Sequence, residues 1–263
     1  DDVVRQHIAS TRDNDLSIWL PGIAAFYEIN DTWSLLAGVH RGFSPLGGSA
    51  RAWEKPETSI NYELGARYDG RVFVEVIGFY SDFSNKGESC SNAYPCSNGA
   101  TSGTFITGEA VVAGVEVQVG HVFETGQITW PLSVSYTHSM AEARGDTADS
   151  GVLDGDTLAS VPENSLSLRL GAEVGSRWDS YAVVKYVDEM CVEIGCNREA
   201  SNFAQTESFF VVDVGTRYAV TDAISAFVKV ENALDKRAIV SRQPDGARPN
   251  KPLTAMLGVE WVF

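Results

Sequence analysis

The chain has 263 residues, 24 of them glycine, with 10% aromatic side chains and a net charge of −15. This acidic balance argues against nucleic-acid binding, which needs a basic face for the phosphates. No run of 18 apolar residues occurs, so no transmembrane helix is expected, and the length allows either one all-β unit or two ordinary domains.

Eleven segments alternate between apolar and polar residues, which is the period-two pattern of half-buried β-strands. In the third segment, Ile60, Tyr62 and Leu64 oppose Asn61 and Glu63. One face is therefore apolar and the other polar. In chain order the segments lie near residues 16–28, 32–42, 59–68, 71–82, 109–121, 127–139, 164–174, 177–187, 207–219, 222–233 and 253–263.

The connections between these segments alternate between short and long. Short turns lie near residues 28–31, 68–71, 122–126, 174–177 and 219–222. Long connections lie near residues 43–58, 83–108, 140–163, 188–206 and 234–252. Ordinary domains rarely hold so many long loops, whereas outer-membrane barrels have short turns at one end and long loops at the other. The sequence therefore predicts an all-β fold, an antiparallel transmembrane β-barrel sheet of about eleven strands.

Aromatic residues near the strand ends share the apolar face, as the girdles of a membrane barrel require. They are Tyr62, Tyr68, Tyr80, Tyr136, Trp178, Tyr186, Phe210, Tyr218 and Trp261. The last segment, Leu253 to Phe263, has the length of a tilted strand that crosses a bilayer and ends on an aromatic residue. Outer-membrane barrels commonly end in this way, and this resemblance implies that Trp261 and Phe263 form the signal that the barrel-assembly machinery binds.

Four cysteines form two close pairs, Cys90 with Cys96 and Cys191 with Cys196. Neither pair has Cys-x-x-Cys spacing or a nearby histidine, so a zinc site is not expected. Both pairs lie in predicted long loops. We therefore predict two local disulfides, Cys90–Cys96 and Cys191–Cys196, that pin loop tips in an oxidising compartment.

Two regions resemble the TonB-dependent outer-membrane receptors, and the ferric-dicitrate receptor type is the most similar. The first comprises Val-His-Arg-Gly-Phe-Ser-Pro at 39–45 and Lys-Pro-Glu-Thr-Ser-Ile-Asn-Tyr-Glu-Leu-Gly-Ala-Arg-Tyr at 55–68. The second comprises Val-Glu-Asn-Ala-Leu-Asp-Lys-Arg at 230–237, Gly-Ala-Arg-Pro-Asn-Lys-Pro at 246–252 and the terminal strand. The resemblance implies a 22-stranded barrel filled by an N-terminal plug, of which residues 1–263 would be the C-terminal part without the plug.

The resemblance also implies a function, which is uptake of a ferric siderophore or ferric citrate through the outer membrane of a Gram-negative bacterium. The implied partners are the chelate, TonB–ExbB–ExbD acting through the missing plug, outer-membrane lipid and lipopolysaccharide. Iron would be carried within the ligand rather than as a cofactor, and the long loops would be extracellular. Two alternatives stay open: a self-contained small outer-membrane channel, and a receptor for another ligand such as cobalamin or a glycan.

Anionic chelates need cationic donors, and arginine suits bidentate carboxylates. The candidate ligand-binding residues at the predicted outer end are His40, Arg41, Arg51, Lys55, Arg237, Arg242, Arg248 and Lys251. The alternative is that they are solvated loop charges or lipopolysaccharide contacts. His40 falls on the polar face just below the rim.

Other charged residues of the polar face are expected to form a cross-strand ladder. They are Glu63, Arg67, Glu75, Glu116, Arg169, Lys185, Asp213, Arg217, Lys229 and Glu231. The acidic stretch 142–156 does not match the spacing of an EF-hand loop, so no metal site is predicted. An enzyme is not predicted either, because no Gly-x-Ser-x-Gly motif occurs and His121 and His138 fall on the apolar face.

Overall fold

A computed structural model describes the protein in six ranges. These are residues 17–45, 55–90, 103–146, 151–198, 203–242 and 246–263. For residues 88–90 and 103–107 the backbone alone is described. Within these ranges no helix has the length and apolar character to cross a membrane.

The described chain forms one antiparallel sheet of eleven strands that follow each other in chain order, except that β13 lies beside β10. The strands are β1 (Gly22–Glu28), β2 (Trp33–Ser44), β3 (Glu57–Asp69), β4 (Phe73–Cys90), β5 (Gly103–Thr125), β6 (Ile128–Arg144), β7 (Asn164–Val174), β8 (Trp178–Val187), β9 (Phe209–Ala219), β10 (Ile224–Glu231) and β13 (Thr254–Trp261). A separate pair, β11 (Ile239–Ser241) and β12 (Arg248–Pro249), lies within the connection from β10 to β13. The predicted all-β antiparallel fold is confirmed.

The strand register aligns the apolar residues of neighbouring strands, so one side of the whole sheet is apolar. Because directly paired residues share a face, each chain of pairs can be followed from strand to strand. One such row is Tyr68, Val74, Val119, Val134, Leu168, Val184 and Val212. The neighbouring row on the other face reads Ser34, Arg67, Glu75, Gln118, Ser135, Ser167 and Lys185. We call the two sides the apolar face and the polar face.

Aromatic residues mark both ends of the apolar face. Trp33 and Tyr68 pack with ring centroids 5.0 Å apart at the end with the short turns. Tyr62 and Tyr80 lie 6.2 Å apart, nearer the end with the long loops. All nine predicted girdle residues pair along the apolar face. This arrangement is typical of strands whose ends lie at the two interfaces of a membrane.

Short turns set the register at one end of the sheet. The Asn30 side chain accepts hydrogen bonds from the backbone N–H groups of Thr32 and Trp33, each at 3.0 Å, and closes the turn between β1 and β2. Gly126 adopts a φ of 66° in the turn that joins β5 to β6, a conformation that glycine adopts without steric cost. We refer to this edge as the short-turn end and to the opposite edge as the long-loop end.

Three strands are longer than the sequence predicted. β4 ends at Cys90, whereas the alternation in the sequence predicts an end near residue 82. β5 begins at Gly103, whereas the alternation predicts a start near residue 109. β6 continues to Arg144 rather than ending near 139. The register between β4 and β5 shifts at Phe83–Lys86, where Asn85 has a φ of 57°. This bulge interrupts the period-two pattern of β4, so the alternation in the sequence ends before the strand does.

Candidate functional site

Ion pairs cross the polar face between neighbouring strands. Arg67 and Glu75 are direct partners and their charged atoms lie 2.6 Å apart. Lys185 and Asp213 lie 3.5 Å apart on β8 and β9. Arg169 instead places its guanidinium 4.4 Å above the ring of Tyr181. The predicted ladder is confirmed at these pairs, and its contact with a plug stays a prediction.

A second group of charges joins β9, β10 and β13. The Arg217 guanidinium lies 3.1 Å from the Glu260 carboxylate, although β10 separates their strands. The Ser225 hydroxyl of β10 donates to the same carboxylate at 3.3 Å. The polar face therefore ties the terminal strand to the rest of the sheet through side chains as well as through the backbone.

Large side chains of the polar face lie flat over glycines of the neighbouring strand. A Cβ atom on Gly215 would meet the Tyr181 ring at 2.6 Å, and one on Gly258 would meet the Phe227 ring at 2.3 Å. Both are direct cross-strand pairs. Because these two rings lie over the backbone rather than project from it, the polar face is nearly flat at both positions.

At the long-loop end, the β6–β7 connection packs onto the polar face. Val152 and Leu158 form a buried cluster with three alanines of β5 and β6. Those alanines are Ala110, Ala141 and Ala143. The backbone N–H of Leu158 donates to the Ala141 carbonyl at 2.9 Å, so this loop continues the sheet edge beyond β7.

The β8–β9 connection is joined to this loop by a buried carboxylate. Asp156 is 2% exposed, and its carboxylate lies 2.7 Å from the Arg198 guanidinium. The Gly195 N–H also donates to the Thr157 carbonyl at 3.0 Å. Two long connections therefore behave as one packed layer.

The disulfide Cys191–Cys196 lies within this layer, and the predicted pairing is confirmed. Both cysteines are buried and form a cluster with Ala204. The bond joins residues five positions apart within the β8–β9 connection and is buried there, and its predicted role in pinning the loop tip stays a prediction. The predicted Cys90–Cys96 bond lies outside the described residues.

The β10–β13 connection completes the layer. Glu207 and Ile239 exchange hydrogen bonds of 2.8 and 2.7 Å between the β8–β9 and β10–β13 connections. Arg242 donates through Nε to the Gln205 carbonyl at 2.8 Å. Its guanidinium lies 5.6 Å from the ring centre of Phe203, whose side chain is 77% exposed. We call the three joined connections, 151–163, 188–208 and 232–253 as far as they are described, the loop layer.

Asn232 holds the β10–β13 connection in shape. The residue is 3% exposed, and its side-chain amide donates to the carbonyls of Lys236 and Lys251, each at 2.9 Å. Its side-chain oxygen accepts from the Lys236 N–H at 3.0 Å. The Glu-Asn-Ala-Leu-Asp stretch thus has a structural role in closing this loop.

The first group of candidate ligand residues is divided between the two faces. His40 pairs with Asn61 and lies on the polar face, as predicted. Arg41 pairs with Ile60 and lies on the apolar face. Lys55 is exposed two residues before β3, and Arg51 lies outside the described residues. The alternation of β2 thus places Arg41 away from His40, which argues against a shared ligand contact.

The second group lies after β10, so strands β4 to β9 separate it from the first along the sheet. Arg237 pairs with Asp235 at 3.3 Å, Lys251 pairs with Glu231, and Arg248 is exposed on β12. Sequence reasoning did not single out Phe203 or Arg198 and considered Asp156 only as the end of the acidic stretch 142–156, because no local pattern distinguishes these three from other loop residues. The acidic stretch 142–156 forms no metal-binding group among its described residues.

The family model described as "TonB dependent receptor-like, beta-barrel" matches residues 2–233. The chain is 25% identical to the ferripyoverdine receptor of Pseudomonas aeruginosa over 240 residues, which are 83% of this chain and 27% of that receptor. It is 24% identical to the iron-regulated outer membrane virulence protein of Vibrio cholerae, over 82% of this chain and 35% of that protein. The ferric yersiniabactin uptake receptor of Yersinia pestis has a similar fold, with a TM-score of 0.73 and 22% identity over 93% of this chain and 37% of that chain. The chain therefore spans about a third of the length of these relatives.

Proposed function

The chain belongs to the TonB-dependent receptor β-barrel family, and from this we propose that it forms the C-terminal half of an outer-membrane receptor that takes up a ferric chelate. The complete receptor would have 22 strands and a plug that contacts TonB–ExbB–ExbD, and the plug and the other eleven strands would lie outside residues 1–263. The short span of the chain relative to its relatives supports this division.

The proposed ligand site lies on the loop layer. It stands at the long-loop end, and it presents an exposed aromatic ring, Phe203, beside the Arg242 guanidinium. Arg248 is exposed in the same connection. An anionic chelate with carboxylate groups would be held there by charge-assisted hydrogen bonds. Several relatives carry names of ferric siderophore receptors, which agrees with this substrate class.

The proposed orientation of the sheet in the outer membrane also indicates which surface each remaining partner would contact. Under this proposal the long loops face the outside, the apolar face contacts lipid, and the polar face lines the lumen against the plug. Glu63 and Glu116 have no ion-pair partner among the described residues, so their carboxylates are available to a plug. Trp261 and Phe263, with ring centroids 6.2 Å apart at the end of the chain, are the proposed signal for the barrel-assembly machinery.

Equilibrium binding to the full-length receptor tests the ligand site. We expect ferric citrate or a ferric siderophore to bind, and the double replacement Arg242→Ala with Arg248→Ala to weaken binding by a few kcal/mol, since charge-assisted bonds contribute about 1.5–3 kcal/mol each. Arg237→Ala is the matched control, because Arg237 already pairs with Asp235 at the surface. Unchanged affinity in the double variant would place the site elsewhere. Binding of cobalamin or a glycan, with no binding of ferric chelates, would reject the substrate class.

A further inference from the structure

Two hydrogen-bonded segments of the β8–β9 connection, residues 190–192 and 204–206, run antiparallel to each other, with Cys191 opposite Gln205. We call them the first arm and the second arm. Phe203, the exposed ring of the proposed ligand site, directly precedes the second arm. The second arm is therefore the part of the loop layer that carries the aromatic half of that site.

Met190 and Thr206 join the two arms through a pair of hydrogen bonds. The Thr206 N–H donates to the Met190 carbonyl, and the Met190 N–H donates to the Thr206 hydroxyl oxygen, each at 2.9 Å. Thr206 is 8% exposed, so its hydroxyl is shielded from solvent. Because the second bond uses a side-chain acceptor, a substitution of nearly the same volume can remove it.

The second arm also holds Arg242. Its Nε donates to the Gln205 carbonyl at 2.8 Å, and its guanidinium lies 5.6 Å from the ring centre of Phe203. The Gln205 carbonyl and the Thr206 N–H belong to the same peptide group, which is planar. This peptide group is therefore bound on one side by Met190 of the first arm and on the other side by Arg242, so its orientation determines the direction in which the acceptor for Arg242 points.

The first arm is anchored to the sheet through the β6–β7 connection. The Ser160 N–H donates to the Cys191 carbonyl at 2.8 Å, and Leu158 of the same connection packs onto the polar face. The disulfide from Cys191 to Cys196 closes the chain just after this contact. A continuous series of contacts thus leads from the sheet through the first arm and Thr206 to Arg242.

We propose that Thr206 is a positioning residue of the ligand site. It fixes the peptide group between Gln205 and Thr206, and this group holds the Arg242 guanidinium beside Phe203 before a chelate binds. A donor that is already in place raises affinity, because binding does not have to order it. The role in chelate binding rests on the proposed function, whereas the fixing of Arg242 can be measured without a ligand.

Chemical labelling of arginine tests the fixing of Arg242. The full-length receptor in detergent is treated with phenylglyoxal, which reacts with guanidinium groups, and each labelled arginine is quantified by peptide mass spectrometry. We expect Arg242 to react faster in Thr206→Val, which lacks the acceptor for the Met190 N–H. Thr206→Ser should react at the wild-type rate, because it retains the hydroxyl. Arg237 is the internal control and should react equally in every variant.

Thr221→Val is the matched control variant. The Thr221 hydroxyl accepts hydrogen bonds from the N–H groups of Ala223 and Ile224, at 3.2 and 3.0 Å, in the turn between β9 and β10. The same substitution therefore removes an acceptor of backbone N–H groups at the short-turn end. It should leave the labelling of Arg242 unchanged.

Binding of ferric citrate to these variants tests the role in the site. We expect Thr206→Val to weaken binding about five- to tenfold, and Thr206→Ser and Thr221→Val to bind as the wild type does. In an Arg242→Ala background, Thr206→Val should cause no further loss, because residues that act as a unit are not additive.

Wild-type labelling of Arg242 in Thr206→Val, equal acceleration in Thr206→Ser, or full additivity with Arg242→Ala would each overturn the proposal. Wild-type affinity in Arg242→Ala would instead reject the ligand site itself. The labelling result would then still decide whether Thr206 fixes Arg242, so the two failures are distinguishable.

Discussion

Arg198 reaches from the β8–β9 connection to the buried carboxylate of Asp156 in the β6–β7 connection, at a distance of 2.7 Å. This contact lies beside the packing of Val152 and Leu158 onto the polar face. Because the β10–β13 connection is hydrogen-bonded to the β8–β9 connection, a chelate bound at the proposed site beside Arg242 would contact a layer anchored on the sheet.

We predict that Arg198→Ala loosens the loop layer. The substitution leaves Asp156 buried without its counter-charge, which costs roughly 3–5 kcal/mol for a fully buried pair. Arg198 is 43% exposed, so a smaller local cost of about 1–3 kcal/mol is expected. Hydrogen exchange of residues 152–158 and 191–196 should accelerate. Arg237→Ala, which removes an exposed pair, should leave these rates unchanged, and protection equal to wild type in Arg198→Ala would contradict the prediction.

The two disulfides give a separate prediction. Peptide mass spectrometry without reduction should recover Cys191–Cys196 and Cys90–Cys96. Replacing Cys191 and Cys196 by serine should destabilise the loop layer only slightly, about 0–2 kcal/mol, because the bond closes a short loop. Free thiols, or a peptide that links Cys90 to Cys191, would refute this pairing.

The assignment of faces predicts opposite results for two arginine substitutions. Leu168→Arg places a charge on the apolar face and should block membrane assembly, since arginine at the bilayer midplane costs about 2–4 kcal/mol. Ser135→Arg places the same charge on the polar face, between Gln118 and Ser167, and should assemble normally. Heat-resistant migration of outer-membrane fractions measures both variants. Equal assembly of the two would show that the faces are assigned wrongly.

The flat packing of rings over glycines predicts that Gly215→Ala is harmful. The added Cβ atom would meet the Tyr181 ring at 2.6 Å and would push it out of its position, at a cost of about 1–3 kcal/mol. Adding Tyr181→Ala should remove that cost. Gly120→Ala is the control, because its Cβ atom would meet Phe73 at an ordinary 3.5 Å. Urea unfolding of the receptor in detergent gives the comparison, and no difference between the two glycine variants would contradict this packing.

The sequence was sufficient for the sheet but not for the loop layer. Alternation such as that of Leu166, Leu168 and Leu170 is local, so it predicted the strands and the face of each side chain. The contact of Asp156 with Arg198 joins residues 42 positions apart and depends on how two loops fold together, which no local pattern encodes. Arg41 shows how far alternation reaches: the pattern that places His40 on the polar face places Arg41 on the apolar face, and the register that pairs Arg41 with Ile60 agrees.

Energy-coupled iron uptake tests the central claim most directly. A strain that lacks the receptor, supplied with the full-length gene, is given radiolabelled ferric citrate and ferric siderophores under iron limitation. The account predicts accumulation of iron from at least one chelate, and loss of that accumulation when the inner-membrane proton gradient is collapsed, while binding at the cell surface persists. Accumulation that continues without the gradient would indicate a passive channel and would contradict the account, as would the absence of uptake from every chelate by a correctly assembled receptor.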